Sequence, residues 1–167
     1  MTDWILDASP VILLGKIQQL PLIRALSPEF RIPRAVADEI GAGSADDPAV
    51  EWLKQPSVLA HVVEAPAPAQ LLTQWDLGAG ESAVLSLALA EDGTVAVLDD
   101  LAARRFALAF HIPLVGTLGL LVRAKHAGLV GQLGPLIEKL ESAGANLSPA
   151  VVRHALELAL EAPSLEG

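Results

Sequence analysis

The sequence predicts an α/β fold in which helices cover both faces of a mostly parallel β-sheet. Short apolar runs alternate with stretches of helical periodicity along the whole chain. Hydrophobic residues fill 52% of the 167 positions, enough to bury a sheet on both faces and too many for a disordered chain. Leu and Ala dominate that fraction while aromatics reach only 4%, a mixture that suits helices packed on a sheet. With no internal repeat and no long linker, the chain is expected to fold as one domain over 1–167.

The first strand is expected at Trp4-Ile5-Leu6-Asp7, a short apolar run closed by an acid. Ser9 and Pro10 follow at once, a capping residue and a proline suited to a first helical turn. The helix they open runs through Ile12, Leu13 and Lys16 to a break near Gln18. A short helix at 20–26 leads to a strand at 30–32. Pro33 opens a helix through Val36 and Ile40, which Gly41 and Gly43 end. Residues 44–48 read as a loop, 49–55 as a short helix and 58–63 as a strand. Pro66 and Pro68 mark a linker too short to separate domains. After Gly78-Ala79-Gly80, residues 81–90 are strongly helical. Residues 94–98 form the clearest strand, ended by Asp99 and Asp100. A helix at 102–110, a strand at 112–115 and a helix at 118–127 continue the alternation, and helices at 133–143 and 149–160 close the chain.

A net charge of −9 argues against a broad nucleic-acid groove, because nonspecific affinity for a polyanion comes largely from Lys and Arg. Any role on nucleic acid would rest on local features such as bound cations and a few arginines. The lack of cysteine excludes disulfides and thiolate metal sites. The amino end lacks the basic region and apolar run of a signal peptide. The most apolar stretches, such as 112–122, are too short or too interrupted by Gly to span a bilayer. The expectation is a soluble, cytoplasmic protein with no membrane attachment.

In an open parallel sheet, ligands bind beyond the carboxyl ends of the strands. Asp7 and the Asp99–Asp100 pair end strands at that edge, and Glu81 starts a helix whose amino end faces it. Glu39 lies six residues beyond Pro33, about 9 Å along an ideal helix. It joins the others only if its helix crosses the edge. Singly, each acid also has a structural explanation. These are an Asx turn for Asp7, the helix dipole for Glu81, capping for Asp99 and Asp100, and a solvated helix face for Glu39. Gathered at one edge they are costly, since two like charges about 4 Å apart repel by roughly 4 kcal/mol at an effective dielectric near 20. Such a cluster takes up protons or binds a divalent cation. All-oxygen ligation without cysteine favours Mg²⁺ or Mn²⁺ over zinc. A cation there can bridge an RNA phosphate, lower the pKa of a bound water and stabilise the leaving oxygen.

Other polar residues carry less. Arg104 and Arg105 lie one turn after the acidic pair, where one can reach a phosphate or brace a carboxylate, or else form ordinary helix surface. Thr117 reads as a helix cap or as a hydroxyl at the site's rim. His61, His111, His126 and His154 have no ligand spacing and read as surface or satisfied structural residues. Gly78-Ala79-Gly80 is not a phosphate loop, since neither the dinucleotide spacing nor a following Lys-Ser/Thr is present.

Four segments, in this order, resemble the PIN-domain family. They are Ile5-Leu6-Asp7-Ala8-Ser9-Pro10, the run from Ile32 through Glu39 to Ile40, Gly78-Ala79-Gly80-Glu81 with the helix after it, and Val97-Leu98-Asp99-Asp100 through Arg104. The run from Gly116 and Thr117 to Leu121 further resembles a bacterial and archaeal PIN subfamily often proposed as toxins of toxin–antitoxin pairs. The resemblance covers roughly 3–128, leaving 129–161 as a helical C-terminal extension. It implies a three-layer α/β/α fold and Mg²⁺- or Mn²⁺-dependent RNA cleavage. Asp7, Glu39, Glu81 and Asp100 become the catalytic residues, and these four with Asp99 the metal ligands. Glu39 thereby gains the place that topology leaves open. Glu81 stands where many PIN nucleases carry Asp. Leu98 stands where the usual pattern has a hydroxyl two residues before the acid, so Asp100 is favoured as ligand over Asp99. Ser9, Arg104 and Thr117 are the candidates for substrate contact. In toxin relatives a small antitoxin protein occludes the site and homodimers are common, which makes both expected partners beside RNA.

The alternative is a catalytically silent PIN-like protein-interaction module that keeps the acids without a substrate groove. A phosphoacceptor signalling domain would need an acidic pair after the first strand and a Lys after the last. Asp7 stands alone and no Lys follows Val115, which disfavours that reading.

Overall fold

The computed structural model describes residues 2–161. Its strands are β1 (Asp3–Leu6), β2 (Ile32–Pro33), β3 (Val62–Val63), β4 (Thr94–Val97) and β5 (Leu114–Val115), and every pairing among them is parallel. β1, β4 and β5 form one sheet and β2 with β3 a second, joined by a parallel bridge between Ile5 and Arg31. The strands thus run in the order β3-β2-β1-β4-β5. From β1 the chain steps outward to β2 and β3, then returns to β4 on the opposite side. That reversal opens a crevice beyond the carboxyl ends of β1 and β4. Leu6 pairs with Val97, so Asp7 stands opposite Leu98 and Asp99 lies one residue beyond.

The helices are α1 (Ala8–Lys16), α2 (Pro21–Leu26), α3 (Arg34–Gly41), α4 (Pro48–Leu53), α5 (Pro56–Leu59), α6 (Ala79–Ala90), α7 (Leu101–Ala109), α8 (Thr117–His126), α9 (Gly134–Ser142) and α10 (Pro149–Leu158). α6 packs on β1, β2 and β4 and meets α7, whereas α1 and α2 meet α8. The predicted three-layer α/β fold, with its parallel sheet, is the one observed. α3 touches α1, α4 and α6. This helix therefore crosses the sheet edge, which is the condition Glu39 required. Covering both faces explains why β1 and β4 are apolar in succession and not in alternation. Phe106, fully buried, stacks on Phe110 at 4.4 Å and meets Trp75 edge-on at 5.3 Å.

Several expectations need correction: Thr117 is the first residue of α8, whose cap is Gly116, and the strand expected at 112–115 shrinks to Leu114–Val115. α1 begins at Ala8 with Asp7 in the cap position, so Ser9 lies inside the first turn and caps nothing. The strand expected at 58–63 shrinks to Val62–Val63, because Pro56 starts a helical turn that takes in Val58. The linker region runs into a short 3-10 helix, Gln70–Gln74, that periodicity does not reveal. The break near Gln18 is confirmed by its left-handed backbone, at φ 60°.

The last helices are tied back onto the body. The Glu161 carboxylate accepts from the Leu133 and Gly134 amides at 2.7 and 3.1 Å and pairs with Lys125 at 3.3 Å. His126 Nε2 bonds the Leu158 carbonyl oxygen at 2.6 Å, holding α10 beside α8. No helix among the described residues is long and apolar enough to cross a membrane.

Candidate active site

Asp7 is the deepest acid of the crevice, 1% exposed. Its amide continues the β1–β4 ladder by donating to the Val97 carbonyl oxygen at 3.1 Å. Its Oδ1 is buried with no hydrogen-bond partner among the described residues. An unpartnered buried oxygen of this kind costs roughly 1–3 kcal/mol, more if charged. The Asp7 carboxyl is accordingly pushed up from 3.8 to about 7. Burial is the main cause, followed by Glu81, with Glu39 and Asp99 adding to it and the Ala8 amide opposing.

Glu39 reaches the same place from α3. A methyl carbon at Gly80 would sit 2.7 Å from Glu39 Oε2 and 3.3 Å from Asp7 Oδ1, so glycine there is what lets the two carboxylates approach. The Glu39 carboxyl is raised above its ordinary range, first by desolvation and then by Glu81. Glu81 occupies the first turn of α6 and folds back toward its cap, where a side chain at Gly78 would collide with its carboxylate.

The two neighbouring aspartates diverge. Asp99 turns across the crevice to α8, its Oδ1 accepting from the Thr117 amide at 2.8 Å and its Oδ2 from the Thr117 hydroxyl at 2.5 Å. Asp100 is exposed and caps α7, accepting from the Ala103 amide at 2.8 Å. Asp99 contributes to the Asp7 shift, whereas Asp100 does not figure among its causes. As the side chains stand, no set of three or more His, Asp or Glu among the described residues converges tightly enough to hold a metal ion. Glu81 and Asp99 face the Asp7–Glu39 pair through their charge but are turned onto Gly78 and Thr117.

A groove of about 970 Å³ leads away from the acids. Ser9, Glu81, Asp99, Asp100, Arg104 and Thr117 line its polar end, and Leu118, Val122, Leu147, Val151 and Leu158 its apolar length. Arg104 Nη1 donates to the Leu98 carbonyl oxygen at 2.9 Å, which fixes the guanidinium against the wall. Ser9 is exposed at the rim and Thr117 is buried. Sequence reasoning missed the far wall, including Asn146 and His154, because residues so distant in the chain carry no local signal. His61 is a packed residue, stacked on Phe30 at 4.1 Å with Nδ1 bonded to the Phe30 carbonyl oxygen at 2.8 Å.

Compared with known families, residues 3–161 match a family model described as a PIN domain, a match that runs through α9 and α10. No curated protein and no solved structure matches the chain.

Proposed function

The chain belongs to the PIN-domain family, and from that premise we propose that it is a metal-dependent endoribonuclease. PIN domains are generally nucleases and usually use divalent metals. The observation that carries the reading here is Asp7 Oδ1, a buried carboxylate oxygen with no partner of its own beside a second carboxylate. A donor set of carboxylate oxygens, without sulfur or imidazole, suits a hard cation such as Mg²⁺ or Mn²⁺. The ligands would be Asp7, Glu39, Glu81 and Asp99. We place Asp99 where the resemblance assigned Asp100, because the charge of Asp99 acts on Asp7 while Asp100 caps α7 through the Ala103 amide.

When bound, the cation supplies a water of lowered pKa and positive charge at the reacting phosphate. Asp7 and Glu39 offer oxygens already placed, and Glu81 has only its own flexible side chain to turn. Arg104, held by Leu98, orients an incoming phosphate through its remaining guanidinium donors. Ser9 offers a hydroxyl at the rim. The groove receives the RNA strand beyond the scissile bond. Cation and Arg104 together offset the repulsion between a polyanion and a chain of net charge −9.

The proposal also takes the chain as one domain, with a nuclease core at 3–128 and a helical extension at 129–161 whose α10 supplies the groove wall. In its wider form it covers a cytoplasmic toxin that works as a homodimer and is held in check by a small antitoxin protein. Leu101, 61% exposed at the start of α7 next to Asp100, is an apolar side chain that such a partner would cover.

The test is RNA cleavage by purified protein with Mg²⁺, with Mn²⁺ and with chelator, in wild type, Asp7→Asn and Glu81→Gln. Cleavage should need the cation and vanish in Asp7→Asn. Metal-dependent cleavage undiminished in both variants would place the site elsewhere, and cation binding without turnover would favour an interaction module.

A further inference from the structure

One residue engages both oxygens of Asp99. Thr117 is 3% exposed and opens α8, and Gly116 before it occupies the cap position without a side chain. Asp99 therefore does from the end of β4 what a capping side chain does for its own helix, and its charge sits at the favourable end of the α8 dipole. The close fit depends on Gly116. A Cβ there would lie 2.7 Å from Arg104 Nη1 and 3.0 Å from Asp99 Oδ1. One residue further on, Asp100 has no such partner on α8 and turns to its own helix.

A carboxylate offers about four lone-pair sites. Thr117 takes one on each oxygen, which fixes the plane of the group and leaves one free on each. Held this way, the Asp99 carboxylate keeps a single orientation on the α8 side of the crevice. Resting on the reading of Asp99 as a ligand, we propose that Thr117 is the positioning residue of the centre. It aims Asp99 at the cation and itself touches neither cation nor RNA.

Thr117→Val deletes the hydroxyl bond while keeping the amide bond and nearly the same volume, and Thr117→Ser keeps both bonds. Titration calorimetry with Mn²⁺ and no RNA should show affinity falling about 10–100-fold in the valine variant, the usual cost of losing a partner that orients a metal ligand. The serine variant should bind close to wild type. In an Asp99→Asn background the valine change should have no further effect. If Thr117 only starts a helix, Thr117→Val lowers the melting temperature in chelator and leaves Mn²⁺ affinity at the wild-type value, which overturns the proposal. Should the valine variant not fold, Thr117→Ala carries the test, since it also deletes the hydroxyl bond and keeps the amide, and unchanged affinity there overturns the proposal equally. A wild-type protein that binds no Mn²⁺ removes the metal reading and this proposal together, whereas unchanged affinity in the variants removes this proposal alone.

Discussion

Replacing Asp7 by Asn should make the cation-free protein more stable, and the gain should depend on pH. A carboxyl raised from 3.8 to about 7 binds its proton more tightly in the folded chain than in the unfolded one. Its contribution to stability is fully present below about pH 4 and is lost as pH rises through about 7. Asn keeps the shape and cannot ionise, so it avoids that loss. A displacement of roughly three pKa units corresponds to ~4 kcal/mol at about 1.36 kcal/mol per unit, an upper limit because a buried site relaxes around its charge. Urea unfolding of both proteins in chelator, at about pH 4.5 and about pH 7.5, reads the difference directly. Asp7→Asn should lie within about 1 kcal/mol of wild type at the lower pH and exceed it by up to about 4 kcal/mol at the higher. Adding Mn²⁺ at 100 times its Kd should raise wild type alone by about 2.7 kcal/mol, narrowing or reversing the difference, because Asn forfeits that gain. A pH-independent difference, or a wild type already the more stable at the higher pH in chelator, would refute the reasoning.

Gly80→Ala should separate the site from the fold. The added carbon meets the flexible end of Glu39, so the melting temperature should hardly change, while Mn²⁺ affinity measured by calorimetry should fall about tenfold or more. Asp100→Ala should cost about 1 kcal/mol in urea unfolding through the lost α7 cap while leaving Mn²⁺ affinity intact. Asp99→Asn should show the opposite pattern, affinity lost with stability largely kept. Phe106→Ala empties the contacts with Trp75 and Phe110 and should destabilise by about 3–5 kcal/mol by the same assay.

The elements around the centre were legible where period and punctuation agree. Trp4 to Leu6 and Thr94 to Val97 read as buried strands because both sheet faces are covered, and the Gly78-Ala79-Gly80 turn set the start of α6 within two residues. Val58 misled because an apolar run of that length suits a strand or a buried helical turn equally, and Pro56 decided for the turn. Local spacing had no access to the angle at which α3 leaves β2. Glu39 therefore needed the family resemblance, and the Asp7–Glu39 approach shows that this helix does cross the edge. Which of Asp99 and Asp100 turns toward α8 was illegible for a related reason. Adjacent residues of one turn point to different partners, and the partner that separates them, Thr117, lies 18 residues beyond Asp99. The far wall of the groove depends on α10 returning to α8, a contact that Glu161 and His126 secure across the whole C-terminal region.

Diffraction from a crystal grown with Mn²⁺, recorded at the manganese absorption edge, tests the shared cation most directly. An anomalous peak about 2.1 Å from Asp7 Oδ1, with Glu39 beside it and Glu81 turned in from Gly78, is the predicted result. A peak at the histidines of the groove or the C-terminal helices, or none at the acids under millimolar Mn²⁺, would contradict a metal centre at Asp7.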